Sequence, residues 1–302
     1  MYDPSGNIPP HPKAAPVSSN LDDLKQWVGK TETLSDQVTL APLQALRATL
    51  DCCDDNLPEA GRPIPPCWHW LYFLPLRRQS EIGADGHPRR GGFLPPVPLP
   101  RRMWAGSRIQ FLQPLHVGES MTRTSRIVDV SNKEGRSGPL VFVRVQHDIN
   151  SAQGPAIVEE QDIVYRDMPL PGEPPAASKA APTDEQFGRT VTPDPVFLFR
   201  YSALTFNGHR IHYDRPYATG EEGYPGLVVH GPLLATLLLG ELTRAHPGAR
   251  VTTFNFKAIS PLFDTAPFAL CGRLDAVTAT LWARGPQGQL AMQASATVTP
   301  AI

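Results

Sequence analysis

The sequence of 302 residues has little cysteine, little net charge and no long apolar run. Its four cysteines are Cys52, Cys53, Cys67 and Cys271, and none of them forms a Cys-x-x-Cys pair. This usage argues against a disulfide framework and favours thiols in a reducing compartment. The formal net charge is −1 without an evident basic patch, so the sequence predicts no nucleic-acid partner.

No apolar run is long enough to span a bilayer, so the sequence also predicts no membrane partner. The first residues lack the features of a secretory or transit peptide, and a cytoplasmic location is therefore expected. The hydrophobic fraction is 41%, which is enough for a core in one large domain or two medium ones.

Proline, in contrast, is abundant at 34 residues, and its clusters indicate how the chain is organised. Residues 1–20 are typical of a flexible N-terminal arm. Residues 169–195 carry proline and small residues without apolar periodicity, which predicts an interdomain linker. The chain is thereby divided into an N-terminal domain over 21–168 and a C-terminal domain over 196–302.

The two domains share a pattern. A Pro-Leu pair lies thirteen residues ahead of an apolar strand position in both, beginning at Pro114 and at Pro261. An antiparallel hairpin is predicted to follow in each, over 140–166 and over 278–300, because apolar and polar residues alternate around glycine turns. This repetition predicts an internal duplication.

A helix is predicted ahead of the strands in each half. Residues 39–50 carry an apolar face at helical spacing, and residues 232–242 are apolar on nearly all sides, as expected of a helix wrapped by a curved sheet. Helix and strands in this order predict the α+β class.

Residues 200–231 contain the most informative polar cluster, with His209, His212 and His230 between apolar runs. Histidine supplies a titratable group near neutral pH, so this stretch predicts a site of acid–base chemistry. Gly231 opens the predicted second helix, whose first N–H groups can stabilise a developing oxyanion.

The run TFNGHRIH over 205–212, followed by His230-Gly231, resembles the signature of the MaoC-like, hydratase-2 enoyl-thioester hydratases. Within that family it is similar to the mitochondrial-type 3-hydroxyacyl-thioester dehydratases and the mesaconyl-C4-CoA and itaconyl-CoA hydratases. The resemblance extends from about Trp27 to Val298. It implies a double hot-dog fold, in which two curved antiparallel sheets each wrap a central helix, with a degenerate first domain and a catalytic second one.

The resemblance also implies a function. The expected enzyme is a hydro-lyase that adds water reversibly across the double bond of an enoyl-CoA thioester. The expected substrate is a C5 dicarboxylyl-CoA, mesaconyl-C4-CoA or itaconyl-CoA, with citramalyl-CoA as product; a 3-hydroxyacyl-thioester dehydratase of fatty acid synthesis is the alternative. No metal or other cofactor is expected, and both a monomer and a homodimer are compatible with the fold.

The catalytic residues are carried over by position. His212 aligns with the family's catalytic histidine and is the expected acid/base. Asn207 stands where the family has aspartate, and an amide cannot take a proton. Either Asn207 orients the water while His212 acts alone, or another group such as His209 or Asp214 takes the missing role. The N–H of Gly231 is expected to hold the thioester oxygen.

Further residues are expected to bind the substrate. Arg210 lies inside the motif, where a guanidinium could pair with a substrate carboxylate. Arg101 and Arg102 are expected to meet CoA phosphates. The remaining expected contacts are His209, Tyr213, His230 and Trp104. The segment Asp85-Gly86-His87-Pro88 is predicted to be a turn from its composition, with a substrate-binding role as the alternative.

Three other functions fit parts of the pattern. A metal hydrolase could use His209, His212, Asp214 and His230 as ligands. A hot-dog thioesterase would need a carboxylate near the helix N-terminus, and Glu221 and Glu222 are the candidates. A non-catalytic acyl-thioester binding module is the third, since Asn207 replaces the usual aspartate and fold alone does not fix function.

Overall fold

The computed structural model describes residues 21–52, 57–135, 138–168 and 178–299. The arm predicted over 1–20, and residues 169–177 of the predicted linker, lie outside the described residues. Within these ranges the chain combines one large antiparallel sheet with a few helices, which agrees with the predicted α+β class.

Ten strands form this sheet. They are β1 (Thr31–Gln37), β2 (Arg101–Phe111), β3 (Ser120–Gly135), β4 (Gly138–Ser151), β5 (Gly154–Arg166), β6 (Phe187–Val191), β7 (Arg250–Ala258), β8 (Phe268–Asp275), β9 (Thr278–Arg284) and β10 (Leu290–Thr299). The described helices are α1 (Leu21–Lys25), α2 (Leu40–Thr49), α3 (Pro195–Leu204) and α4 (Gly231–Ala245). Both predicted hairpins form, as the pairs β4–β5 and β9–β10.

The strand order reveals the internal duplication. The first half runs β1-β3-β4-β5-β2, and the second half repeats the same connectivity as β6-β8-β9-β10-β7. The two halves join edge to edge where β2 pairs with β7, with Ser107 opposite Phe256 and Ile109 opposite Phe254. The pairing of β2 with β7 joins the two half-sheets into one, with β1 and β6 as its edge strands.

The second half wraps its helix as expected. α4 begins with Pro232 in its first turn, where a missing N–H costs nothing, and it packs on β8 and β9. Most residues of α4 are buried, and Leu233 and Leu238 are fully enclosed. Such a helix is stabilised mainly by tertiary burial rather than by an amphipathic face.

The first half differs from the second. α2 forms where a helix is predicted, but it follows β1 as α3 follows β6, so it is the counterpart of α3 and not of α4. Among the described residues of the first half no helix takes the place of α4. Residues 57–100 are irregular apart from short turns at Trp68–Leu71 and Gln79–Glu81, because repeated prolines remove N–H donors there.

The predicted linker extends too far towards the C-terminus. β6 lies inside the range 169–195, where it pairs with β8 at the sheet edge. Residues 178–186 also pack on the second half: the N–H of Ala181 donates to Gly288 O at 2.9 Å, and Glu185 pairs with Arg284 at 2.6 Å. A five-residue edge strand is too short to show an alternation against this proline-rich background.

Two findings bear on the exclusions made from composition. Cys52, Cys67 and Cys271 form no disulfide within the described residues, and Cys53 lies outside them. No described helix has the length and apolar character needed to cross a membrane.

Candidate active site

The histidine-rich motif follows directly from the end of α3. Asp194 caps α3 by accepting from the N–H groups of Val196 and Phe197 at 2.7 and 2.9 Å. After the helix ends, Phe206 adopts a left-handed conformation with φ +50°. Asn207 then closes a turn, since its Oδ1 accepts the N–H of His209 at 3.1 Å. This sharp exit places 207–212 on the wall of a cavity.

His212 has one nitrogen fixed and one free. Its Nδ1 lies 2.7 Å from the carbonyl oxygen of Val228, so Nδ1 carries the proton and donates. Nε2 is therefore the proton acceptor of the neutral ring. Burial lowers the pKa of His212 to about 4, partly opposed by the Val228 hydrogen bond. His212 is thus a neutral base at pH 7.

His230 lies behind His212 and does not line the cavity. The two rings stack with centroids 3.7 Å apart and planes 18° apart. Ser202 Oγ lies 2.8 Å from Nε2 of His230, and burial keeps the pKa of His230 well below its usual range. His230 therefore packs against His212 and is separated from the cavity, where the expected substrate contact would lie.

A turn from the first half docks onto the motif. The N–H of Arg210 donates to the carbonyl of Asp85 at 3.0 Å. Gly86, at φ +87°, lies so close to Gly208 that a Cβ on Gly86 would be 1.8 Å from Gly208 O. Only glycine at this position permits the contact. The predicted turn is confirmed, and it also brings His87 into the cavity.

His87 and His209 form a second histidine pair. Their ring centroids are 4.1 Å apart, and His209 lies 5.5 Å from His212. Asp85 fixes His87 through Oδ2, 3.1 Å from Nδ1. Burial lowers the pKa of His209 to about 2 and lowers that of His87, so both rings are neutral at pH 7.

Both halves contribute to one cavity of about 1110 Å³. The second half supplies His209, His212 and Gly231, and the first supplies His87, Arg102 and Trp104. Exposed apolar side chains also line it and mark its mouth: Met103, Phe199, Phe206 and Ile259. A cavity of this size accommodates the acyl group of a thioester and part of its carrier.

The N-terminus of α4 opens onto the same cavity. Gly231 is its first residue, so the Gly231 N–H has no acceptor within the helix. The nearest atom that a Cβ on Gly231 would meet is Trp104 O at 3.9 Å, so space remains beside this N–H. An N–H at a helix N-terminus facing open space suits a developing negative charge.

Arg210 is engaged elsewhere than expected. Its guanidinium pairs with Asp214 at 2.8 Å and donates to Ala84 O at 3.0 Å, and it stacks on Tyr217. These bonds fix the docked turn and do not present Arg210 to a substrate carboxylate. Asp214, held by the same pair, does not line the cavity and is not placed to replace the missing aspartate.

Arg101 is likewise committed to a protein partner. It forms a mostly buried ion pair with Glu222 at 2.9 Å and stacks on Tyr224. This leaves Arg101 poorly placed for CoA phosphates, and it occupies Glu222, one of the two carboxylates considered for a thioesterase. Tyr213 is largely exposed at 41%, and its hydroxyl donates to Gly208 O at 2.8 Å.

A buried polar network in the first half has no counterpart among the sequence predictions. Glu159, 1% exposed, accepts hydrogen bonds from Trp70, Ser107 and Gln161, and it lies 3.2 Å from His69 Nε2. These bonds outweigh burial and lower the pKa of Glu159 to about 2. The network lines the cavity, which makes its first-half wall polar.

One group of side chains could hold a metal ion. Asp85, His87 and His209 each offer a ligand atom, and these atoms lie within 4.8 Å of one another. Of the ligands considered for a metal hydrolase, only His209 belongs to this group. One ring nitrogen of His212 is instead hydrogen-bonded to Val228, and one ring nitrogen of His230 is hydrogen-bonded to Ser202.

Comparison with known proteins identifies the family. The family model for hydroxyacyl-thioester dehydratase type 2 matches residues 67–264, about two thirds of the chain. The chain belongs to this family. The match includes the docked turn, the motif and α4, so both halves of the site lie within it.

Two curated relatives cover most of the chain. It is 50% identical over 273 residues to the mesaconyl-C(4)-CoA hydratase of Chloroflexus aurantiacus, which covers 90% of this chain and 97% of that protein. It is 28% identical to the mitochondrial hydroxyacyl-thioester dehydratase type 2 of Schizosaccharomyces pombe, over 79% of this chain and 88% of that one. The family expected from the sequence is confirmed.

Solved structures confirm the fold. A MaoC-like dehydratase of Phytophthora capsici has a TM-score of 0.65 at 16% identity, covering 94% of this chain and all of that one. A Mycobacterium tuberculosis protein described as a double hotdog fold has a TM-score of 0.53 at 13% identity, with 92% and 98% covered. The predicted double hot-dog architecture is therefore correct.

Proposed function

We propose that this protein hydrates a C5 dicarboxylyl-CoA, with mesaconyl-C4-CoA as the substrate and citramalyl-CoA as the product. The observation that carries the hydratase chemistry is His212, a neutral base on the cavity wall whose Nε2 is free. The 50% identity to a mesaconyl-C(4)-CoA hydratase over 90% of the chain supports the substrate. Itaconyl-CoA is the second dicarboxylyl substrate to be tested.

The reaction needs a base for water and a donor for the thioester oxygen. His212 Nε2 takes a proton from water as the water oxygen bonds to the β-carbon of the enoyl thioester. The π electrons move to the thioester oxygen, where the Gly231 N–H stabilises the enolate. The enolate collapses as the α-carbon takes a proton, which protonated His212 returns directly or through water.

Asn207 replaces the carboxylate of the family signature and acts on water without taking its proton. Its Oδ1 is occupied by the N–H of His209, so its NH₂ group is the part available to orient the water oxygen. His209, 5.5 Å from His212, is the remaining polar neighbour on the same side. We assign the base to His212 because its Nδ1 is fixed by Val228 and its Nε2 is free, and His209 is the alternative base.

A fatty-acyl 3-hydroxyacyl-thioester dehydratase is the second candidate, favoured by the family and by the yeast relative. The identities favour the dicarboxylyl substrate, since the chain is 50% identical to the mesaconyl-C(4)-CoA hydratase and 28% identical to the yeast dehydratase.

The decisive assay offers the purified protein mesaconyl-C4-CoA, itaconyl-CoA, crotonyl-CoA and a long-chain enoyl-CoA, and follows the loss of near-UV absorbance of the conjugated substrates and the products by mass. A preference for the dicarboxylyl substrates supports the proposal; a preference for the long chain contradicts it. Chelator treatment in the same assay should leave the rate unchanged, since no step uses the Asp85–His87–His209 group to hold a metal. Light scattering tests the homodimer, which stays a prediction.

A further inference from the structure

Arg102 differs from the neighbouring arginines of the site. Arg101 and Arg210 both face the cavity, but each is paired with a carboxylate, Glu222 or Asp214. Arg102 also lines the cavity, and within the described ranges no carboxylate lies within ion-pair distance of it. A guanidinium beside a substrate cavity without an anionic partner is a site for one.

Tyr165 lies beside Arg102 on the neighbouring strand. Arg102 on β2 is directly opposite Tyr165 on β5, so both side chains lie on the same face of the sheet. Tyr165 is fully buried, and its hydroxyl lies against the guanidinium of Arg102 and not in the open cavity. Burial raises the pKa of Tyr165, and Arg102 opposes the rise. Tyr165 therefore positions the Arg102 side chain.

His87, His209 and Arg102 line the same cavity. Burial is the main cause of the lowered pKa of His87 and His209, and the positive charge of Arg102 contributes to both, so Arg102 lies within electrostatic range of the pair. Other charged neighbours of this pair are Asp85, which is bound to His87, and Arg90, whose donors go to the carbonyls of Val97 and Pro100. Only Arg102 therefore has charge to offer a ligand here.

We propose that Arg102, positioned by Tyr165 and lining the same cavity as His87 and His209, binds the free carboxylate of the substrate's acyl group. This inference rests on the proposed function and names the residues that read its substrate. In mesaconyl-C4-CoA the free carboxylate is bonded to the carbon that gains the hydroxyl group. Its binding groups must therefore lie in the same cavity as His212, and Arg102 lines that cavity together with His212, His209 and His87.

The division of labour between the two halves follows. The second half supplies the base and the oxyanion donor, and the first half supplies the carboxylate site on β2 and β5. Arg102 thereby takes the role that the sequence suggested for Arg210, and it is not a phosphate contact. Loss of catalytic groups from the first half leaves it free to determine specificity.

The test measures binding of two saturated thioesters that cannot be hydrated. Succinyl-CoA carries a carboxylate on the same carbon as the substrate, and butyryl-CoA carries a methyl group there. The wild-type protein should bind succinyl-CoA more tightly than butyryl-CoA by about 10- to 100-fold in Kd, as expected for a charged hydrogen bond. Arg102→Gln should abolish this preference, and Tyr165→Phe should reduce it.

Arg123→Gln is the matched control. Arg123 lines the same cavity and lies over the ring of Phe73, but it is on β3, away from the histidine pair. It should keep the preference for succinyl-CoA. Arg102→Lys keeps the positive charge but not the planar guanidinium with its paired donors, so it should retain part of the preference for succinyl-CoA. This variant serves as the test if Arg102→Gln does not fold.

Two outcomes separate this inference from the proposed function. If the wild type hydrates mesaconyl-C4-CoA and Arg102→Gln still prefers succinyl-CoA, the carboxylate site is wrong while the function stands. If the wild type prefers succinyl-CoA through Arg102 but hydrates no dicarboxylyl thioester, the site stands and the function is wrong. Equal binding of both ligands by the wild type overturns the site.

Discussion

Replacing His212 by alanine removes the proposed general base. A positioned general base contributes about 10²–10⁴ to the rate, and the contribution grows as its pKa approaches the working pH. His212 has a pKa of about 4, so it is fully neutral at pH 7 but a weak base. We therefore expect kcat of His212→Ala to fall by about 10²–10³, with the Gly231 oxyanion site still in place.

The assay is steady-state hydration of mesaconyl-C4-CoA, with folding checked by circular dichroism. His116→Ala is the control, because His116 pairs with Glu119 outside the cavity and should leave kcat unchanged. In the wild type, kcat/KM should decrease as the pH falls through about 4, where His212 becomes protonated. A loss of less than tenfold in a folded His212→Ala protein would refute the assignment of the base.

Three further results are expected. Arg210→Ala should lower stability without changing the ratio of kcat/KM for mesaconyl-C4-CoA over crotonyl-CoA, because its guanidinium is bound to the protein; a changed ratio would show that it reads the carboxylate. Gly86→Ala should lower both Tm and kcat far more than Gly91→Ala. Both glycines have φ +87°, but a Cβ at Gly86 would collide with Gly208 O, whereas a Cβ at Gly91 has its nearest neighbour at 3.8 Å. Equal effects in the two variants would mean that the docking contact is unimportant. The free energy of unfolding, measured with urea, should decrease as the pH falls from about 6.5 to 4, by up to about 1.4 kcal/mol per pH unit for each buried histidine such as His147. The reason is that burial lowers the folded-state pKa of His147 to about 4, so the unfolded chain binds more protons in this range. A flat profile that His147→Gln leaves unchanged would contradict the neutral buried state.

Much of the fold and the centre of the site could be predicted from local pattern. The two hairpins and α4 follow from alternation, glycine turns and a nearly uniform apolar run, which are properties of neighbouring residues. The positions of His212 and Gly231 follow for the same reason: one lies in the motif, and the other opens the helix. Neither position depends on contacts that are distant in the sequence.

The misassigned residues depend on contacts that are distant in sequence. Arg210 is held partly by Ala84, 126 residues earlier, and Arg101 by Glu222, 121 residues later. The polar network around Glu159 exists only because strand register places Glu159 directly opposite His147 on β4 and diagonal to Ser107 on β2. No periodicity in the sequence encodes such pairings.

The sequence contains only a weak indication of the role of the docked turn. Asp85-Gly86-His87 combines a carboxylate, a glycine and a histidine, which fits both an ordinary turn and a site. The close contact between Gly86 and Gly208 resolves this, because two glycines back to back allow the turn to approach the catalytic motif. The resulting site is shared between the two halves.

The most direct test of the account is hydration of mesaconyl-C4-CoA by the purified protein, with free thiol followed in parallel. The account predicts loss of conjugation, a citramalyl-CoA product and no thiol release, at a higher kcat/KM than for crotonyl-CoA. Thiol release would instead show a thioesterase, and a folded protein that binds the thioester without changing it would show a binding module; either result would contradict the central claim.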